Sequence, residues 1–278
     1  MLSRKKFIAQ SGMLAAGIAM RPSLAFANNF ETKRPPLAYR KFTSEAVEAT
    51  IVGMKKKITD PELAWLFENC FPNTLDTTVE FEMIESKPDT YVITGDIDAM
   101  WLRDSTAQVW PYLPFIKNDA KLRELIEGVI NRQKKCIILD PYANAFYKDV
   151  NKISEWKSDL TKMQPGIHER KWEIDSLCYP IRLAYRYWKT SGDIKVFDAD
   201  WKQCIKLTLQ TFKEQQRKHG DGPYSFQRTT AWATDGVPLA GYGYPVKPVG
   251  LICSTFRPSD DATLFSFLVP SNFFAVSK

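Results

Sequence analysis

Apolar residues recur every three or four positions along most of the chain, and helix-starting residues precede many of these runs. Ser44 is placed to cap a segment that runs through Ile58. Asp60, with Pro61 at the first helical position, caps a second segment. Its apolar stripe is Leu63, Leu66, Phe67 and Cys70, and Pro72 stops it. A third helical signal crosses Asp104–Ile116. The longest runs from about Asp119 to Ile137, with Leu122, Leu125, Ile126, Val129 and Ile130 at helical spacing. Asp175 or Ser176 opens a fifth, which puts Leu177, Ile181, Ala184 and Trp188 on one face, with Pro180 expected to kink its start. Asp198–Lys218 carries Trp201, Ile205, Leu209 and Phe212 at the same period. A seventh helix is expected to begin at Asp260 and run toward the chain's last residues.

Period-two alternation is confined to "TTVEFEMI" (77–84), which turns through "KPD" into "TYVIT" and predicts one β-hairpin. Strand and helix patterns do not alternate regularly, which excludes a doubly wound sheet and a βα barrel. The pattern therefore predicts a mainly α fold. Three long connections interrupt the helices: 138–168, 219–250 and the approach to Trp101. Loops of that length are commonly functional, and in an array of antiparallel helices they collect at one end, where they can wall a pocket.

The first 27 residues change the charge balance. Arg4, Lys5 and Lys6 precede an apolar, small-residue stretch, and Ala25-Phe26-Ala27 offers a cleavage site, so residues 1–27 read as a signal peptide. Export to a periplasmic or extracellular location follows as an expectation. The stretch is too short for a membrane span. It carries Arg4, Lys5, Lys6 and Arg21 and no acid, so without it the formal charge falls from +6 to +2. That removes the main argument for nucleic acid or an anionic membrane as a partner. Residues 28–42, polar and proline-containing at their start, read as a linker, and 43–278 as one domain. At 44% hydrophobic and 25% charged, the chain has the composition of a globular protein, not a disordered one.

Candidate chemistry is sparse in some directions. There are two histidines, His168 and His219, without a zinc-ligand or triad pattern around either. The five cysteines are scattered and read as buried thiols, so neither a metal nor a cofactor is expected. Carboxylates are more promising. "GDIDAMWLRDS" (95–105) brings Trp101, Arg103 and Asp104 together. A guanidinium and a carboxylate suit vicinal hydroxyls and Trp101 offers a stacking ring, although a cap at Asp104 with Arg103 in an ion pair explains the same residues. Asn144, Gln227 and Arg228 lie in polar, aromatic loops and could bind hydroxyls. In "ERKWEIDSLCYP" (169–180), Glu169, Glu173 and Asp175 are accounted for by the preference of a helix N-terminus for negative charge. "STFRPSDD" (254–261) ends in Asp260 and Asp261. A helix start there would favour the ionised carboxylate, whereas a general acid must keep its proton. Catalysis would need Asp260 desolvated by Phe256 and Phe265, or facing a second carboxylate from elsewhere in the fold.

Longer blocks carry a resemblance. "ENCFPNTLDTTVEF", "ITGDIDAMWLRDSTAQVWPYLPF", "INRQKKCIILDPYANAF", "ERKWEIDSLCYPIRLAYRYWKTSGD", "YSFQR" and "FRPSDDATLFSFLVPSNFFAV" together resemble glycoside hydrolase family 125. The likeness runs in order from about residue 45. It implies an (α/α)6 toroid and metal-independent, inverting, exo-acting hydrolysis of terminal α-1,6-linked mannose on a glycan. By the same resemblance Asp260 is the general acid, and Trp101, Arg103 and Asp104 are substrate contacts. The family's general base is a glutamate that follows further helices. Seven helical segments fall short of the toroid's twelve, so the chain is expected to be the N-terminal part of such an enzyme, inactive by itself. A sugar-binding remnant without catalysis is the alternative reading. Another toroid enzyme such as a lyase is a third, for which the two histidines lack context.

Overall fold

The computed structural model describes residues 30–278. The expected signal peptide, 1–27, lies outside the described residues. Seven α-helices are present among them: α1 (Glu45–Lys55), α2 (Pro61–Cys70), α3 (Leu102–Val109), α4 (Ala120–Leu139), α5 (Ile174–Ser191), α6 (Ala199–Gln215) and α7 (Val269–Ser277). Two begin at the caps the sequence predicts, Ser44 and Asp60, and two at the predicted starts Asp119 and Asp198, which prove to be caps as well. Ser44 accepts from the Val47 N–H, Asp60 from Glu62 and Leu63, Asp119 from Leu122, and Asp198 from Trp201. Each satisfies donors that a first helical turn leaves unpaired.

Two helices differ from expectation. α3 starts two residues before Asp104 and gives way at Trp110 to a 3-10 segment, Trp110–Phe115, containing Pro111 and Pro114. Proline lacks the N–H that α-helix continuation needs. No helix begins at Asp260. The backbone there is left-handed (φ +61°), and α7 starts only at Val269, with Pro270 in its first turn. Residues 255–263 instead fold back on themselves, and the Thr263 N–H donates to the Thr255 carbonyl at 2.9 Å.

Strands β1 (Val79–Ile84) and β2 (Lys87–Val92) form the predicted antiparallel hairpin, with Val79 opposite Val92. Its second strand lies on α4 so closely that Gly128 is required. A Cβ there would stand 2.3 Å from Thr90 Oγ1 and 2.9 Å from the Asp89 backbone. Thr90 Oγ1 donates to the Leu125 carbonyl and Arg132 Nε to the Asp89 carboxylate. One core cluster fills the space between this hairpin, α4, α5 and Tyr112. A second surrounds Trp172, Tyr224 and Phe256.

A three-stranded antiparallel sheet, β3 (Met100–Trp101), β4 (Ala145–Phe146) and β5 (Ile167–Glu169), is absent from the sequence reading. Residues 30–42, expected as a tether, are laid against the domain. Arg34 is buried and reaches both Asp76 and Glu48, while the Lys41 and Phe42 N–H groups donate to the Asp76 and Leu75 carbonyls. The stripe expected to bury α2 is partly at the surface, with Leu63 56% and Leu66 40% exposed. Four of the five cysteines are buried and Cys70 is exposed, all five as free thiols. No helix among the described residues is long and apolar enough to cross a membrane.

Candidate functional site

The small sheet fixes one side of the site. Trp101 pairs with Ala145, and Ala145 with Glu169, so the ends of all three strands converge. The Leu102 N–H donates to the Asn144 carbonyl at 3.1 Å, and the chain passes directly from β3 into α3. Gln133, fully buried on α4, holds that first turn through 2.9 Å bonds from its amide to Ser105 Oγ and Thr106 Oγ1. Arg103 and Asp104 are thereby carried on a braced helix start.

The other side comes from α5 and a segment about 80 residues later. Trp172 Nε1 donates to the Cys253 carbonyl at 2.8 Å, and the Phe256 N–H to the Trp172 carbonyl at 3.1 Å. Ser254 Oγ accepts from the Ile174 N–H at 3.2 Å, supplying the cap that the Glu173 side chain does not. From this anchored segment the chain turns tightly. The Asp260 N–H donates to the Arg257 carbonyl at 2.9 Å, and the Arg257 N–H to the Asp261 carbonyl at 3.0 Å. Aspartate is among the non-glycine residues that enter the left-handed region most readily, and here its side chain reaches Arg103 and Asn144 and not its own turn.

The two sides meet at Arg103. Its Nη1 donates to Asp104 Oδ2 at 2.9 Å and its Nη2 to Asp260 Oδ1 at 3.0 Å. Glu173 Oε2 lies 3.7 Å from the same Nη2, and Asp175 Oδ2 lies 3.4 Å from Nε, without hydrogen-bond geometry. Asn144 Nδ2 bridges Asp260 Oδ1 (3.3 Å) and Glu169 Oε2 (3.2 Å), and its Oδ1 accepts from the Lys171 N–H. Glu169 is held in turn by Lys171 and Arg228, each 3.1 Å away.

The four carboxyls around Arg103 differ in depth. Asp104 and Asp260 keep 30% and 33% of their side chains exposed, while Asp175 keeps 3% and Glu173 none. The outer pair faces solvent and the inner pair backs it. Burial pushes the Glu173 carboxyl well above the usual glutamate range, the negative charges of Asp175 and Asp260 add to this, and Arg103 opposes it. Burial likewise raises Asp175 to about 6, against the pull of Arg103. For Arg103, burial works against the charged form, but the four carboxylates outweigh it and the guanidinium is held more firmly protonated than usual.

Each residue expected from the sequence has a definite place. Arg103, Asp104 and Asp260 are brought together. Trp101 is close in the fold but only 4% exposed, enclosed with Ala99, Ala145 and Tyr147 and edge-on to His168 at 5.2 Å. It presents no open ring for stacking, and its Nε1–H has no partner among the described residues. Phe265 is 88% exposed, so it does not desolvate Asp260 as expected. Arg228 forks onto Asp159 at 2.6 and 2.8 Å, a structural pair, and the Gln227 backbone pairs with that of Leu160. Glu173 and Asp175, which a helix dipole accounts for in the sequence, belong to the site. No local pattern singles them out, since residues 172–175 are all buried, acids and apolar side chains alike. Among the described residues, no group of three or more His, Cys, Asp or Glu is placed to hold a metal ion.

A partly open surface with two carboxyls on one guanidinium, backed by two buried acids, suits hydroxyl recognition and proton donation. Comparison with known proteins agrees in class. Residues 60–278 match a model of the metal-independent alpha-mannosidase family, GH125, and the chain belongs to that family. A solved structure from Streptococcus pneumoniae, described as a metal-independent alpha mannosidase in a non-productive substrate complex with alpha-1,6-mannobiose, is 42% identical with a TM-score of 0.79. The match covers 85% of this chain and 55% of that one. The meiotically up-regulated gene 157 protein of Schizosaccharomyces pombe is 39% identical over 257 residues, which are 86% of this chain and 50% of that protein. The chain thus spans about half the length of the relatives it matches.

Proposed function

We propose that this site is the acid side of an exo-acting α-1,6-mannosidase, in which Asp260 protonates the glycosidic oxygen of a terminal mannose. The reading rests on one observation above all: Asp260 is partly exposed beside Arg103 and Asn144, at 3.0 and 3.3 Å. It has the access a donor needs and fixed partners to aim it. Arg103 and Asp104 bind mannose hydroxyls, while Trp101, enclosed beside them, does not reach the sugar. The family membership and the mannobiose-bound relative support this substrate class. In this reading no metal takes part, the fold is part of an (α/α)6 toroid, and the protein is exported by way of residues 1–27.

Inverting hydrolysis needs a second carboxylate roughly 6.5–9.5 Å from the acid, activating a water on the opposite face of the sugar. The resemblance assigns that base to a glutamate later in the relatives than any residue named here. The 278 residues are therefore proposed to bind a terminal mannose weakly without hydrolysing it. The test uses α-1,6-mannobiose. The 278-residue chain should show saturable binding by calorimetry and release no mannose. A chain of the relatives' full length should release mannose whose first-formed anomer by proton NMR is β, and Asp260→Asn should slow it by roughly 10²–10⁴-fold. Release of the α anomer, or unchanged activity in Asp260→Asn, contradicts the mechanism.

A further inference from the structure

Asp260 lies against Arg103 at 3.0 Å, and a proton donor so placed needs a neighbour that can supply a proton. Glu173 is placed to be that neighbour. Its side chain is wholly buried, its Oε2 accepts from Ser176 Oγ at 2.9 Å, and Oε2 stands 3.7 Å from Arg103 Nη2, the nitrogen that holds Asp260 at 3.0 Å. One nitrogen thus stands between both carboxyls, bonded to Asp260 and approached by Glu173. Glu173 Oε1 has no other partner among the described residues.

The charged groups facing Glu173 are Asp175 on its own helix, Arg103 on α3 and Asp260 on the 255–263 turn. A single guanidinium, also shared with Asp104, does not balance them. A buried carboxylate left with an unpartnered oxygen is too costly to persist as an anion, so Glu173 carries a proton. Asp260, held at 3.0 Å on the nitrogen that Glu173 approaches at 3.7 Å, is the carboxylate placed to receive it.

Resting on the mannosidase reading for its purpose, the geometry points to Glu173 as a positioning residue that shares a single proton with Asp260 across Arg103. Transfer within the pair breaks one O–H bond and makes another. It leaves the Glu173 carboxylate against Arg103 and Asp260 as the neutral acid, and no other bond changes. Glu173 never touches the sugar. Two carboxyls coupled in this way lose their protons in two separated steps that belong to the pair.

The test is a carbon-13 carboxyl titration of the 278-residue chain, with the Glu173 signal assigned by its loss in Glu173→Gln. At about pH 6, where an ordinary glutamate is ionised, Glu173 is expected to keep its proton. Asp260→Asn is expected to move its midpoint down by about one pH unit or more. An ionised Glu173 at that pH overturns the proposal, as does a midpoint that Asp260→Asn leaves in place, since burial alone would then explain it. Within the unmutated chain, the Glu173 and Asp260 signals must each report both steps, so independent titration also overturns it whether or not the variants fold. Methyl α-mannoside separates this from the mannosidase reading. If it leaves the Asp260 signal unmoved, the sugar assignment fails while the shared proton stands.

Discussion

Four carboxyl groups lie between 2.9 and 3.7 Å from one guanidinium, and two of them are buried. Asp175 gives this crowding a measurable sign. Its folded-state value, raised to about 6, stands above the ordinary aspartate range, so the folded chain binds more protons than the unfolded one between the two. Its contribution to stability is complete below about pH 4 and is lost as pH rises through about 6. Glu173, raised by the same burial, acts in the same direction. Asp175→Asn, which removes the charge and keeps the shape, should therefore gain on the parent chain between those pH values, by on the order of 2 kcal/mol, and hold that gain above them. Urea midpoints across that range check it, and a pH-independent difference would contradict it. Sequence reasoning reached Asp260 through its resemblance to a family block, and anticipated that a second carboxylate from elsewhere should face it. It could not identify Glu173, because the contact depends on how residues 252–256 dock on Trp172, and no local pattern encodes that docking.

Elements were legible where their causes are local. The caps at Ser44, Asp60, Asp119 and Asp198 bond N–H groups two or three residues ahead, so type and spacing alone predict them. The β1–β2 hairpin is likewise local. The β3–β4–β5 sheet was not legible, since strands of two or three residues carry no periodicity and their partners lie tens of residues away. The helix expected at Asp260 failed for the opposite reason. A sound local signal was overridden by backbone bonds to Thr255, Arg257 and Thr234. Gly128 offers an element-scale test of how the hairpin seats on α4. Gly128→Ala must push the Thr90 backbone away and break its bond to Leu125, so it should destabilise the fold by about 1–3 kcal/mol despite alanine's better helix propensity. Thermal unfolding measures this, and a stabilised variant would show that the strand yields freely.

Across the whole molecule, apolar side chains remain at the surface where α6, α7 and the segment before them meet: Leu209, Leu251, Val269, Phe273 and Val276, the last two 72% and 87% exposed. Monomeric proteins rarely leave a contiguous patch of this kind open. The 278-residue chain is expected to bind a hydrophobic dye in its native state and to scatter light increasingly as it is concentrated, and Phe273→Glu with Val276→Glu should reduce both. Indifference of the dye signal to that pair would place the open surface elsewhere. The Arg103–Asp260 contact, which joins residues 157 positions apart, has a temporal consequence as well. Closing so long a loop is slow relative to forming helices and hairpins. During synthesis, Arg103, Asp104, Glu173 and Asp175 all emerge before residues 255–263, so the late arrival of that turn completes the cluster. A nascent chain therefore gathers Arg103 and its nearer carboxyls well before Asp260 can join them.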